Sequence, residues 1–151
     1  MSQTSFHIAQ INIARMRTPL DDPIMADFVD QLAQVNALAD ESPGFVWRLA
    51  DESGGAATDI RAFADDRILV NMSVWESIEA LHEFSYRGHH AGLLRERGKW
   101  FEPHSSRLVL WWIPAGAIPS VEDAKRKLEL LESNGPTVAA FTFKERFSPP
   151  R

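Results

Sequence analysis

The run Leu108-Val109-Leu110-Trp111-Trp112-Ile113, opened by Arg107, constrains the fold more than any other part of this chain. Side chains of a strand alternate between the two faces of its sheet, so a strand that is apolar at every position needs cover on both. The chain's own helices can supply one cover. A second copy of the same sheet is the natural candidate for the other, and the run therefore predicts a homodimer.

The rest of the chain supplies a sheet for that strand to join. Residues 6–13 predict a strand with Phe6, Ile8, Gln10 and Asn12 on one face and His7, Ala9, Ile11 and Ile13 on the other. A helix follows, capped by Asp21 or Asp22 with Pro23 in its first turn, and Ile24, Phe28, Leu32, Val35 and Leu38 form its apolar stripe. It ends before Pro43-Gly44. Residues 45–50 predict a second strand, with Phe45, Trp47 and Leu49 sharing a face. Residues 51–67 are polar and long for a hairpin loop, as functional lids or disordered excursions are. Residues 68–75 predict a third strand, aliphatic on one face (Ile68, Val70, Met72, Val74) and mixed on the other (Leu69, Asn71, Ser73, Trp75). Ser77 caps a helix over 78–86, and Gly88 bends the chain into a second helical stretch ending in Trp100-Phe101. Ser120 caps a further helix, Gly135-Pro136 ends it, and residues 138–147 predict a last strand.

The order is β-α-β-β-α-β followed by α-β. Its first six elements match the ferredoxin-like pattern, an antiparallel sheet with helices on one face. The expected fold is therefore α+β, one domain over residues 1–151, with an extra C-terminal helix and strand. A net charge of −5, with Lys125-Arg126-Lys127 the one basic cluster, gives nucleic-acid binding no electrostatic support. There is no cysteine, no secretory leader and no apolar segment of membrane-span length, so a cytoplasmic, membrane-free protein is expected.

Residues 68–101 hold three of the five histidines, two of the five tryptophans and the one tyrosine. Asn71 and Ser73, set between Leu69 and Trp75, have the composition of a pocket wall, where a few polar groups among apolar ones orient a ligand. Arg48, between Trp47 and Leu49, either enters that cleft or reaches solvent at a strand edge.

The segments GFVWRLADESGG, ATDIRAFADDR, ILVNMSVWESIEALHEFSYRGHHAGLLRERGKWF, LVLWWIPAGAIPSVEDAKRKLELLESNGP and AFTF together resemble a bacterial family of unknown function in the dimeric α+β-barrel superfamily. The resemblance spans nearly the whole chain and implies the fold and dimerisation. Its pattern falls here on Trp75, Tyr86, Arg87, His90, Arg97, Trp100, Phe101, Trp111 and Pro114, and it favours His90 over His89. A looser resemblance connects the chain to antibiotic-biosynthesis monooxygenases. Some of these oxygenate polycyclic phenols without metal or flavin, using an Asn and a Trp four apart on one strand; Asn71 and Trp75 have that spacing.

Three functions follow. The first is a cofactor-independent monooxygenase or isomerase acting on a small apolar phenolic or polyketide-type molecule. Its pocket would be lined by Trp47, Asn71, Trp75, Tyr86, His90, Trp100 and Phe101, with His90 as general acid or base and Asn71 and Arg48 or Arg97 stabilising a phenolate or enolate oxygen. The second is haem binding through His82, His89 or His90, with Arg95 or Arg97 pairing a propionate. The third is a non-catalytic ligand-binding or structural dimer. No histidine–carboxylate cluster at metal-ligand spacing is present.

Overall fold

A computed structural model describes residues 5–50, 63–65, 67–86 and 97–150. Four strands, β1 (Phe6–Arg15), β2 (Phe45–Arg48), β3 (Ile68–Trp75) and β4 (Arg107–Pro114), form one antiparallel sheet in the order β2-β3-β1-β4. Helix α1 (Ala26–Glu41) follows β1, α2 (Ile78–Tyr86) follows β3, and α3 (Val121–Asn134) follows β4. The ferredoxin-like expectation therefore holds for the sheet and its two crossover helices. No helix among the described residues is long and apolar enough to cross a membrane.

Helices α1 and α2 lie on one face. Ala39, Ile78 and Leu81 pack there with Ile8, Trp75 and Leu110, and Phe28 and Val35 pack with Leu69 and Trp100. The inward face of α1 is Phe28, Leu32, Val35, Asn36 and Ala39 rather than the stripe read from sequence. Ile24 and Leu38 are exposed, because the 3.6-residue turn carries the buried stripe from Leu32 through Val35 to Ala39.

Helix α3 covers the other face, and this changes the expectation of helices on one side only. Its Ala124 and Leu128 lie over β4 and belong to one buried cluster with Ala9, Ile11, Met72, Val74, Val109 and Trp111. Met72 and Val74 are 1% and 0% exposed within the single chain. The face that the sequence reading left for a partner copy is thus already largely buried within one chain, and on the opposite side Leu108, Leu110 and Trp112 of β4 pack in one cluster with Phe141, Phe143 and Phe147 of the C-terminal segment. The N-terminus of α3 carries a capping box, Ser120 Oγ accepting from Asp123 N at 3.0 Å and Asp123 Oδ2 accepting from Ser120 N at 3.3 Å.

The strand expected over 138–147 reduces to one bridge, in which Leu110 and Phe141 exchange backbone hydrogen bonds of 2.8 and 2.9 Å. Past that point Phe143 and Phe147 turn in against the α1/α2 side of the sheet instead of extending along β4. β2 is also shorter than expected and carries an irregularity between Phe45, opposite Trp75, and Trp47, opposite Val74. The inserted Val46 puts Phe45 and Trp47 on opposite faces of the sheet.

Candidate functional site

β1 and β3 pair so that Gln10 lies opposite Ser73 and Asn12 opposite Asn71, all four on the face that looks at α1 and α2. Residues directly across an antiparallel pair are close enough for side-chain contact. Here the contacts form a continuous ladder. Gln10 Nε2 donates to Asn71 Oδ1 at 2.9 Å and to Ser73 Oγ at 2.8 Å. Asn12 Nδ2 donates to Gln10 Oε1 at 2.9 Å and to Asn71 Oδ1 at 3.1 Å. Trp75 Nε1 donates to Ser73 Oγ at 2.9 Å. With two donors already on its carbonyl oxygen, Asn71 is oriented with Nδ2 as the atom left over, and Nδ2 has no hydrogen-bond partner among the described residues.

This ladder is the floor of a cavity of about 370 Å³ between the sheet and helices α1 and α2. That is within the usual size range of small-molecule sites, roughly 300–1,000 Å³. Phe28 and Leu32 of α1, Leu81, Phe84 and Tyr86 of α2, and Phe143 of the C-terminal segment supply its apolar walls. Asn36 of α1 also lines it. One end lies where β1 finishes and β4 starts, with Phe101, bridged to Met16, and the cations Arg97 and Arg107. Arg107 is held by Glu132 at 2.9 Å, whereas Arg97 has no side-chain partner among the described residues. No carboxylate or histidine is among the described lining residues.

Arg15 braces that end. Its guanidinium bonds Asp65 at 2.6 Å, just before β3, and Glu102, just after the Arg97–Phe101 segment. The Arg15 hydrogen bond, helped by the Arg67 backbone N–H, holds the Asp65 carboxyl below the usual carboxylate range.

Four of the residues expected to line a pocket do so: Asn71, Tyr86, Arg97 and Phe101. Others stand elsewhere. Trp47 is turned to the α3 side by the β2 irregularity. Arg48 faces the helices at the sheet edge and is engaged by Asp40, Nε to Oδ1 at 2.8 Å and Nη2 to Oδ2 at 3.3 Å. Trp100 is buried against Phe28, ring centroids 5.4 Å apart, behind the cavity wall. Trp75 is 1% exposed, edge-on to Phe45 and stacked on Phe84, so its indole supports the floor through Ser73 and does not face a ligand. His82 sits between the rings of Tyr86, at 4.6 Å, and Phe143, at 5.3 Å, and does not line the cavity. His90, His89 and Arg95 lie outside the described residues. No group of three or more potential metal-ligating side chains comes together among the described residues.

Gln10, Asn12 and Asn36 were not singled out by sequence reasoning. The signal for the first pair is present, two amides two apart on a strand face that otherwise reads Phe6 and Ile8. Asn36 gives a weaker one, a polar residue next to Val35 on a helix whose apolar stripe is wide.

Residues 7–151 match the family described as Domain of unknown function (DUF3291). The chain belongs to that family. Among solved structures, SnoaB, a cofactor-independent oxygenase from Streptomyces nogalater, resembles this DUF3291 member with a TM-score of 0.52 at 16% identity, over 77% of this chain and 100% of that one. A protein of unknown function from Nitrosomonas europaea resembles it with a TM-score of 0.53 at 13% identity, over 78% and 99%. At these identities the likeness is one of fold, and it agrees with the α+β architecture. No curated protein matches the chain.

Proposed function

We propose that this protein binds a small, largely apolar molecule bearing a phenol or enol oxygen, and that Asn71 holds that oxygen as negative charge develops on it. The observation that carries the reading is the Gln10–Asn12–Asn71–Ser73 ladder, which fixes one amide N–H₂ towards a cavity whose helix-side walls are mainly apolar. A donor oriented before the ligand arrives is the arrangement that stabilises a developing oxyanion best. The oxygenase activity of SnoaB, a protein of like fold, makes monooxygenation the reaction to test first. In that reaction an activated ring CH₂ loses a proton, the carbanion reduces O₂ and a C–O bond forms. Loss of water then leaves a ketone, so that CH₂ and O₂ give C=O and H₂O with no other reductant. Proton removal is assigned to His90, which lies in sequence between Tyr86 and Arg97, two residues that line the cavity.

A second reading, ligand binding without turnover, is favoured by the lack of a carboxylate or histidine among the described lining residues. Oxygen uptake with anthrone as substrate, in metal- and flavin-free buffer, separates the two. The enzyme reading expects uptake that falls about 100-fold or more in Asn71→Leu, the usual loss when an oxyanion donor is removed. Turnover unaffected by Asn71→Leu would sink the role given to the ladder. Anthrone binding without uptake would leave the second reading.

A further inference from the structure

Asn36 is 8% exposed, projects from the middle of α1, lines the cavity and makes no hydrogen bond among the described residues. A carboxamide has two donors and an acceptor, and those of Asn36 open onto the cavity, where a ligand can meet them, while the rest of the residue is buried. Packing gives no reason for it, since its neighbours on the same helix face, Phe28, Leu32, Val35 and Ala39, are apolar. Polar groups left unpaired in a folded protein call for an explanation, and a cavity-facing one is explained by an absent partner.

We infer that Asn36 is a specificity-determining residue that hydrogen-bonds a second oxygen function of the ligand. This rests on the reading of the cavity as a ligand site and narrows it. Asn71 reaches up from the sheet and Asn36 reaches in from the helix layer above it, so the two amides address the ligand from different walls. The ligand class that satisfies both is a fused aromatic carrying two oxygen substituents, hydroxyl or carbonyl, with apolar ring surface between them against Phe28, Leu32 and Phe84. A site built to pair with a polar group discriminates strongly against the analogue lacking that group, because the protein's own amide is then left buried and unpaired.

The test compares 2-naphthol with the isomeric dihydroxynaphthalenes by calorimetric titration of the full chain, wild type against Asn36→Leu, with Asn71→Leu as a second variant. At least one dihydroxy isomer is expected to bind wild type about tenfold or more tighter than 2-naphthol, and Asn36→Leu is expected to erase that preference while retaining 2-naphthol. No isomer preferred over 2-naphthol, or a preference that survives in Asn36→Leu, overturns the inference and leaves the cavity reading standing. Failure of every naphthol to bind, or binding indifferent to Asn71→Leu, overturns the cavity reading and this inference with it.

Discussion

Asn12 and Asn71 stand directly opposite each other on the two central strands, and Asn12 Nδ2 donates to Asn71 Oδ1 across 3.1 Å. The contact does not touch the ligand, yet together with Gln10 it decides which end of the Asn71 amide the cavity meets. Asn12→Ala is expected to weaken phenol binding by several-fold and to lower stability by about 1–3 kcal/mol, since it removes the two hydrogen bonds from Asn12 Nδ2 to Gln10 Oε1 and Asn71 Oδ1, each worth roughly 0.5–1.5 kcal/mol net. Titration with 2-naphthol and urea unfolding measure the two effects. Binding unchanged in Asn12→Ala would mean that Asn71 is oriented without it.

Ser73 Oγ accepts from both Gln10 Nε2 and Trp75 Nε1 in a part of the floor that is buried. Ser73→Ala leaves the Trp75 N–H without a partner, at roughly 1–3 kcal/mol, and removes one of the two hydrogen bonds of Gln10 Nε2, which keeps the one to Asn71 Oδ1. A loss of about 2–4 kcal/mol is expected, seen as a lower urea midpoint with an unchanged slope.

Trp75 offers a contrasting case. As a support for the floor rather than a group that meets substrate, it is expected to tolerate Trp75→Phe with ligand affinity changed by less than about threefold, at a cost in stability of roughly 1–3 kcal/mol. A larger fall in turnover than in stability would return Trp75 to the catalytic set.

Gly44 joins α1 to β2 at φ +82°, and a Cβ there would lie 2.6 Å from the Ala80 Cβ of α2. Gly44→Ala therefore meets both backbone strain and backbone-to-helix crowding. It is expected to destabilise by about 2 kcal/mol or more, measured by thermal melting.

Two carboxyls give the acid limb of stability its direction. Asp65 is held low by Arg15 and the Arg67 N–H, and Asp123 by the Ser120 N–H and hydroxyl, with Arg126 adding to it. Each has a folded pKa below its unfolded value, so each contributes fully above the ordinary carboxylate pKa, near 3.9, and that contribution fades as pH falls through the lower folded value. Melting temperature against pH is expected to drop less steeply below about pH 4 in Asp65→Asn and in Asp123→Asn than in wild type. Equal slopes would show that neither carboxyl is held low in the folded state.

How far the sequence could be read depends on whether a feature is periodic. The four strands of the sheet, the three helices, the Ser120 cap and the mixed Asn71/Ser73 face all follow from alternation, turn spacing or capping residues, which act within a few positions. What was missed depends on one-residue irregularities or on pairing between distant segments. The insertion at Val46 moved Trp47 to the wrong side, and nothing in FVWR marks it. Gln10 and Asn12 acquire meaning only when β1 is laid beside β3, some sixty residues away, with Gln10–Ser73 separated by 63 positions. The C-terminal segment is apolar enough to be a strand, but Phe143 finds its contacts on Tyr86 and His82 instead.

The ladder has a consequence for folding fidelity as well. β1 and β3 are rich in interchangeable aliphatic residues, and such strands can pair out of step at little cost. Sliding β3 by one position would turn Asn71 and Ser73 into the dry layer under α3, among Ala9, Ile11 and Val109. Sliding it by two keeps the correct face but breaks the match of Asn12 with Asn71 and Gln10 with Ser73. The four polar side chains thus act as a key that admits one alignment of the two central strands. A variant with leucine at 10, 12 and 71 and alanine at 73 is expected to stay compact while its strands lose their single alignment, visible as broadened amide resonances from β1 and β3.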